Sequence, residues 1–233
     1  MANSLTTIAF DADDTLWHNE RFFKLTQDRF VELLADFADA DHLDERLLAA
    51  ERKNIGHYGF GIKGFTLSMI ETALEITDGK VGSHVIKEIL DTGRDMLSHP
   101  IELLDHVQST ISELAPSFQL LLITKGDLLD QERKLAQSGL GDYFDGVEIV
   151  SNKTSEIYRD AFAKAGAQAD QSMMVGNSMK SDILPAIAAG GWGVYVPHGE
   201  IWALEAAPKP KNHPMYREIN NLSNLPQLID DLF

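Results

Sequence analysis

At 233 residues the chain can bury one substantial core, or one core carrying a smaller inserted domain. It is 44% hydrophobic and 24% charged, and no apolar run approaches the roughly 20 residues of a membrane span, so a membrane protein is not expected. The absence of cysteine excludes disulfides and thiolate metal sites, and 20 basic against 36 acidic residues give a net charge of −16, which argues against nucleic acid or anionic lipid as a partner.

The opening Met1-Ala2-Asn3-Ser4-Leu5 lacks the basic start and apolar stretch of a secretory leader, so a cytoplasmic location is expected. Thr7 to Phe10 is a short apolar run ending abruptly in Asp11-Ala12-Asp13-Asp14-Thr15, the pattern of a buried strand whose carboxyl end opens into a polar loop. Residues 17–98 read as helical throughout. Phe22, Leu25, Phe30, Leu33, Leu34 and Phe37 recur at helical spacing, with similar stripes over 43–53, 65–76 and 81–97. A glycine-punctuated stretch from Gly56 to Gly64, holding His57, Tyr58, Phe60 and Lys63, is expected to be a loop between two of these helices. Trp17 and His18 read as a packed indole and an exposed imidazole.

After His99-Pro100 helix and strand alternate. Helices are expected at 103–114, 128–138, 155–165 and 182–189, strands at 118–123, 147–150, 173–175 and 193–196, then a Pro-rich loop over 208–214 and a closing helix at 222–232. This succession predicts an α/β fold, a doubly wound parallel sheet with helices on both faces, whose site lies beyond the carboxyl ends of the strands. The helical zone becomes an insertion directly after the first strand, placed over that site like a lid.

Polar signals follow separate apolar strands at Asp11 and Asp13, at Thr124-Lys125, at Lys153, and from Asn177 to Asp182. A parallel sheet would gather them. Asp11 and Asp13, two apart, project to one side if extended geometry persists, and paired carboxylates repel unless a cation lies between them. Magnesium, a hard ion that takes carboxylate oxygens, water and phosphate, suits a chain without thiolates or a histidine pair. Taken alone, the Asp-rich turn is equally consistent with a solvated strand-to-helix connection.

The segment Phe10-Asp11-Ala12-Asp13-Asp14-Thr15-Leu16 resembles the first motif of the haloacid dehalogenase superfamily. Leu122-Ile123-Thr124-Lys125-Gly126 resembles its second and Asn152-Lys153-Thr154-Ser155 its third, with Thr154 where many relatives carry proline. Val175-Gly176-Asn177-Ser178-Met179-Lys180-Ser181-Asp182 resembles its fourth, with Asn177 where relatives with a Gly-Asp fourth motif place a carboxylate ligand. The resemblance implies a Rossmann-like core over 1–16 and 99–233 with an inserted all-helical cap over 17–98.

It also implies a Mg²⁺-dependent hydrolase of small phosphorylated metabolites. Asp11 is the expected nucleophile, forming an aspartyl phosphate, and Asp13 the expected acid/base. Thr124 and Lys153 would hold phosphoryl charge, and Asp11, the Asp13 carbonyl, Asn177 and Asp182 the metal. Lys125, Gly126, Tyr58 and Lys63 are candidate substrate contacts, in a monomer or homodimer. A 2-haloacid dehalogenase, which attacks carbon without metal and lacks an acid at the position of Asp13, is the principal alternative within the family. A non-catalytic metabolite-binding protein and a phosphomutase-like transferase are the others.

Overall fold

The computed structural model describes residues 4–199 and 201–233. Met1-Ala2-Asn3, on which the expectation of no leader partly rests, lies outside the described residues. Among the described residues no helix is long and apolar enough to cross a membrane. The chain divides into two compact units, one holding residues up to Glu20 with Ile101–Lys125 and Gln131–Phe233, the other Arg21–Pro100 with Gly126–Asp130.

The first unit is built on a sheet of β1 (Thr7–Phe10), β2 (Gln119–Lys125), β3 (Gly146–Val150), β4 (Ser172–Gly176), β5 (Trp192–Tyr195) and β6 (Tyr216–Glu218). Their order is β3-β2-β1-β4-β5-β6 and every neighbouring pair runs parallel. This is the doubly wound α/β architecture that the alternation of elements predicts. β1 is central because it is buried on both faces. Ile8 and Phe10 pack with Val107, Ile111 and Ile229, on the side of helices α5 (Val107–Leu114) and α9 (Leu225–Leu232). Ala9 packs with Tyr158, Phe162 and Ala186, on the side of α7 (Ser155–Lys164) and α8 (Leu184–Ala188). Each fully buried valine, isoleucine or phenylalanine among these contributes about 1.5–3 kcal/mol of transfer free energy.

The second unit contains α1 (Glu20–Leu34), α2 (Ala40–Tyr58), α3 (Ile62–Ile76) and α4 (Ser83–Ser98) around Phe30, Leu34, Leu43, Leu47, Phe65, Met69 and Ile89. Glu20, the first residue of α1, belongs to the sheet unit. Asn54 of α2, buried, donates to Ser68 Oγ at 3.2 Å and Glu71 Oε2 at 2.7 Å on α3.

Several expectations need correction. The loop expected from Gly56 to Gly64 shrinks to residues 59–61: His57 and Tyr58 end α2, and Lys63 lies in the first turn of α3. The break falls where Gly59 and Gly61 take φ of 74° and 112°, which other residues avoid, whereas Gly56 stays helical. The helix expected from 103 starts at Val107, because Leu103 bridges to Trp17 and His106 sits at a φ of 68°. The helix expected at 182–189 is a π-type turn, Met179–Ile183, leading into α8. Strand β6 was not expected, since Tyr216-Arg217-Glu218 is too short and polar to show alternation.

Candidate active site

The ends of β1, β2, β3 and β4, or the turns adjoining them, supply the site. Asp11 follows β1 directly, its N–H bonded to the Val175 carbonyl of β4 at 2.9 Å. The chain then folds back: Leu16 N–H reaches the Ala12 carbonyl and Asp14 N–H the Trp17 carbonyl, each at 2.8 Å. Asp14 takes a φ of 58°, and its carboxylate accepts from the N–H groups of Asn19 and Glu20, where α1 begins. This local closure, not continued extension, leaves Asp11 and Asp13 in different surroundings.

Asp11 Oδ1 accepts from Lys153 Nζ at 2.5 Å, and the same ammonium donates to Asp182 Oδ1 at 2.7 Å. Asp182 Oδ2 accepts from the Ser178 N–H at 2.8 Å. The π-type turn makes this possible by returning Asp182 beneath the end of β4, so close that a Cβ on Gly176 would lie 2.3 Å from Asp182 Oδ2. Both Asp182 oxygens are therefore engaged in hydrogen bonds, one to each, as are both oxygens of Asp11. Lys153 precedes α7, whose N-cap is Thr154, accepting from Ile157 N–H; its φ of −115° is wider than proline permits.

Asp13 has a separate set of donors. Its Oδ1 accepts from Trp17 Nε1 at 2.7 Å and Lys134 Nζ at 2.9 Å, and its Oδ2 from Gln131 Nε2 at 2.8 Å. Lys134 and Gln131 belong to α6 (Leu128–Ser138) and are buried. The expectation that Trp17 merely packs is incomplete: its ring is buried, but its N–H orients Asp13. His18, expected exposed, is partly buried with its ring 5.3 Å from that of His198.

Thr124, at the end of β2, is buried, and among the described residues its hydroxyl makes a 3.5 Å contact to the Lys125 carbonyl. Lys125 Nζ is committed to Glu205 Oε1 at 2.5 Å and Ser181 Oγ at 2.8 Å; Glu205 also accepts from Ser178 Oγ at 2.7 Å and from Ser181 Oγ. Gly126, at a φ of 144°, begins the short segment that groups with the helical unit. In that unit Lys63 pairs with Asp127 at 2.9 Å, and Tyr58 is exposed. The sheet unit thus assembles Asp11, Asp13, Thr124, Lys125, Lys153, Asn177 and Asp182, whereas Tyr58, Lys63 and Gly126 belong to the other unit.

Residues 5–190 match the family of haloacid dehalogenase-like hydrolases. The chain belongs to that family. A haloacid dehalogenase-like family hydrolase from Xanthomonas campestris is 36% identical, with a TM-score of 0.88 over 98% of this chain and 92% of its own. Glyceraldehyde 3-phosphate phosphatase of Methanothermobacter thermautotrophicus is 25% identical over 97% of this chain and all of its own. Human N-acylneuraminate-9-phosphatase is 24% identical over 96% and 94% respectively.

Within this haloacid dehalogenase-like core the two aspartates are set apart electrically. Burial, reinforced by the charge of Asp182, pushes Asp11 up to about 7 against the pull of Lys153. Burial also acts to raise Asp13, but the charge and hydrogen bond of Lys134, with Gln131 and Trp17, outweigh it and hold Asp13 below its ordinary value. Burial acts to lower Lys153, yet Asp11 and Asp182 win and raise it. Two buried carboxylates share one ammonium, an imbalance that either a proton on Asp11 or a further cation would relieve.

The oxygens around Asn177 suit such a cation. With its amide nitrogen turned inward, Asn177 lies 3.2 Å from each of Asp11 Oδ2, the Asp13 carbonyl oxygen and Thr15 Oγ1. This orientation also leaves the Thr15 hydroxyl proton for Asp11 Oδ2, 3.3 Å away. Acceptors converge on one point, and a half-turn of the amide would add the Asn177 oxygen to them. Such an all-oxygen donor set fits a hard divalent ion. Among the described residues no cluster of three or more His, Cys, Asp or Glu side chains offers an alternative.

Gln131, Lys134 and Glu205 carry no strand-end signal in the sequence, and Ser181 stands in the fourth-motif segment without a role assigned by it. The first two share a helical face at i and i+3, but that spacing also describes a solvated polar face.

Proposed function

We propose that this protein is a Mg²⁺-dependent phosphatase acting on small phosphate monoesters through an aspartyl phosphate on Asp11. The observation that carries the reading is the separate donor set of Asp13: Lys134, Gln131 and Trp17 serve Asp13 while Lys153 serves Asp11. Two carboxylates with different charge environments can take different roles. A halide leaves without a proton, so a carboxyl group kept at this place has no use in dehalogenation and a clear one in ester cleavage. The phosphatase names of two full-length relatives support the same choice.

In the first half-reaction an Asp11 carboxylate oxygen bonds to phosphorus while the ester P–O bond breaks. The Asp13 carboxyl passes its proton to the departing oxygen, which leaves as an alcohol. In the second, Asp13 takes a proton from water as that water attacks phosphorus; the bond to Asp11 breaks and inorganic phosphate departs. The resting Asp13, held ionised, is set for this second role, and the charge of an arriving phosphate dianion favours the protonation that the first requires. Thr124 donates its hydroxyl to a phosphoryl oxygen, and Lys153 offsets phosphoryl charge. Asp11, the Asp13 carbonyl and Asn177 would hold Mg²⁺, whose charge would offset that of the phosphoryl oxygens. Asp182 fixes Lys153 and the turn that carries Asn177.

The helical unit, Arg21–Pro100 with Gly126–Asp130 and so a little displaced from the expected 17–98, acts as a cap that selects substrate through Tyr58, Lys63 and Gly126, and Lys125 of the sheet unit is held by Glu205. The substrate is a small phosphorylated metabolite in the cytoplasm. A panel of phosphate monoesters assayed beside 2-chloropropionate, with Mg²⁺ and with chelator, tests the reading. It predicts Mg²⁺-dependent phosphate release and no halide release; metal-independent halide release would overturn it.

A further inference from the structure

We propose that Lys134 and Gln131 of α6 are positioning residues that aim the Asp13 carboxyl at the leaving oxygen, so that their contribution scales with how badly the leaving group needs a proton. The proposal rests on the acid/base reading of Asp13 given above. Three donors that meet the Asp13 carboxylate come from the sheet unit: Trp17 and Lys134 on Oδ1, at 2.7 and 2.9 Å, and Gln131 on Oδ2, at 2.8 Å.

Both α6 side chains are themselves tied down. Lys134 Nζ also donates to Asn19 Oδ1 at 2.9 Å, and Gln131 Nε2 to the Lys125 carbonyl at 2.9 Å. The Gln131 amide has one sensible orientation, because reversing it would set Oε1 against both a carboxylate and a carbonyl oxygen. Its Oε1 is buried without a hydrogen-bond partner among the described residues, so the amide is held through its Nε2 contacts. Solvent and solubility give no reason to bury an ammonium and an amide on a helix whose Leu128 and Leu129 are exposed; holding Asp13 does. Three donors on two oxygens fix both the position and the rotation of the carboxyl plane, which is what transfer to an atom at a defined place demands.

The test compares kcat/KM for glycerol phosphate, whose alkoxide needs a proton to leave, with that for p-nitrophenyl phosphate, whose phenolate does not. A positioned general acid is worth about 10²-fold or more. Lys134→Met and Gln131→Leu should each lower the alkyl value by about 10-fold or more and the aryl value no more than about threefold. In an Asp13→Asn background, Lys134→Met should leave the alkyl-to-aryl ratio where Asp13→Asn alone puts it. This double variant also lacks the buried unpaired carboxylate, so it stays informative if Lys134→Met fails to fold. Equal loss on both substrates, or a further change of ratio in the Asp13→Asn background, overturns the proposal. If Asp13→Asn itself lowers both substrates equally, the acid/base reading fails instead.

Discussion

Asp11, Lys153 and Asp182 form the charge cluster on which the proposed chemistry depends, and it has a calculable response to pH. Asp11 sits at about 7 in the fold against 3.8 ordinarily, so its contribution to stability is full below about pH 4 and is lost as pH rises through about 7. Asp14, raised by burial to about 6, acts in the same sense. The thermal midpoint of the metal-free protein should therefore fall as pH is raised from about 5 to 8, and Mg²⁺ should flatten that slope, as should Asp11→Asn; a midpoint that rises over this window would contradict the charge assignment. Removing the shared cation is costlier. Lys153→Met leaves two buried carboxylates unpaired and should destabilise by about 3–5 kcal/mol in denaturant unfolding, besides abolishing turnover. Asp11, Asp13, Thr124 and Lys153 are legible in the sequence as candidates because each ends or follows an apolar strand, and strand ends in a parallel sheet converge. Lys134 and Gln131 are not, because α6 buries polar side chains while exposing Leu128 and Leu129, the reverse of what periodicity assumes.

At the level of elements, the turn after β4 matters most. Asp182 reaches back under Gly176, so Gly176→Ala should force the turn apart, costing about 1–3 kcal/mol of stability and displacing Lys153 from Asp11. Denaturant midpoints beside kcat/KM check it; wild-type values for both would show that the turn relaxes freely. The alternation of apolar strands and helical stripes revealed the sheet and its helices, since burial on both faces of β1, β2 and β4 leaves long apolar runs. What it concealed depends on backbone detail. The π-type turn has no periodic signature, β6 is too brief for one, and the glycines between α2 and α3 differ in conformation though not in name.

The whole molecule carries a charge of −16, which opposes approach of an anionic ester. At saturating Mg²⁺, kcat/KM for a phosphate monoester should rise with added salt, because screening weakens that opposition over the roughly 10 Å Debye length at 0.1 M. A fall would point to cations outside the described site steering the substrate. The division of labour between Asp11 and Asp13 remains the centre of the account. Rapid acid quenching of turnover on a phosphate monoester carrying labelled phosphate, followed by peptide mapping, tests it most directly. Label is expected on the peptide containing Asp11 in the wild type and none in Asp11→Asn; phosphate release by Asp11→Asn at the wild-type rate, without protein-bound label in either, would contradict an aspartyl phosphate on Asp11.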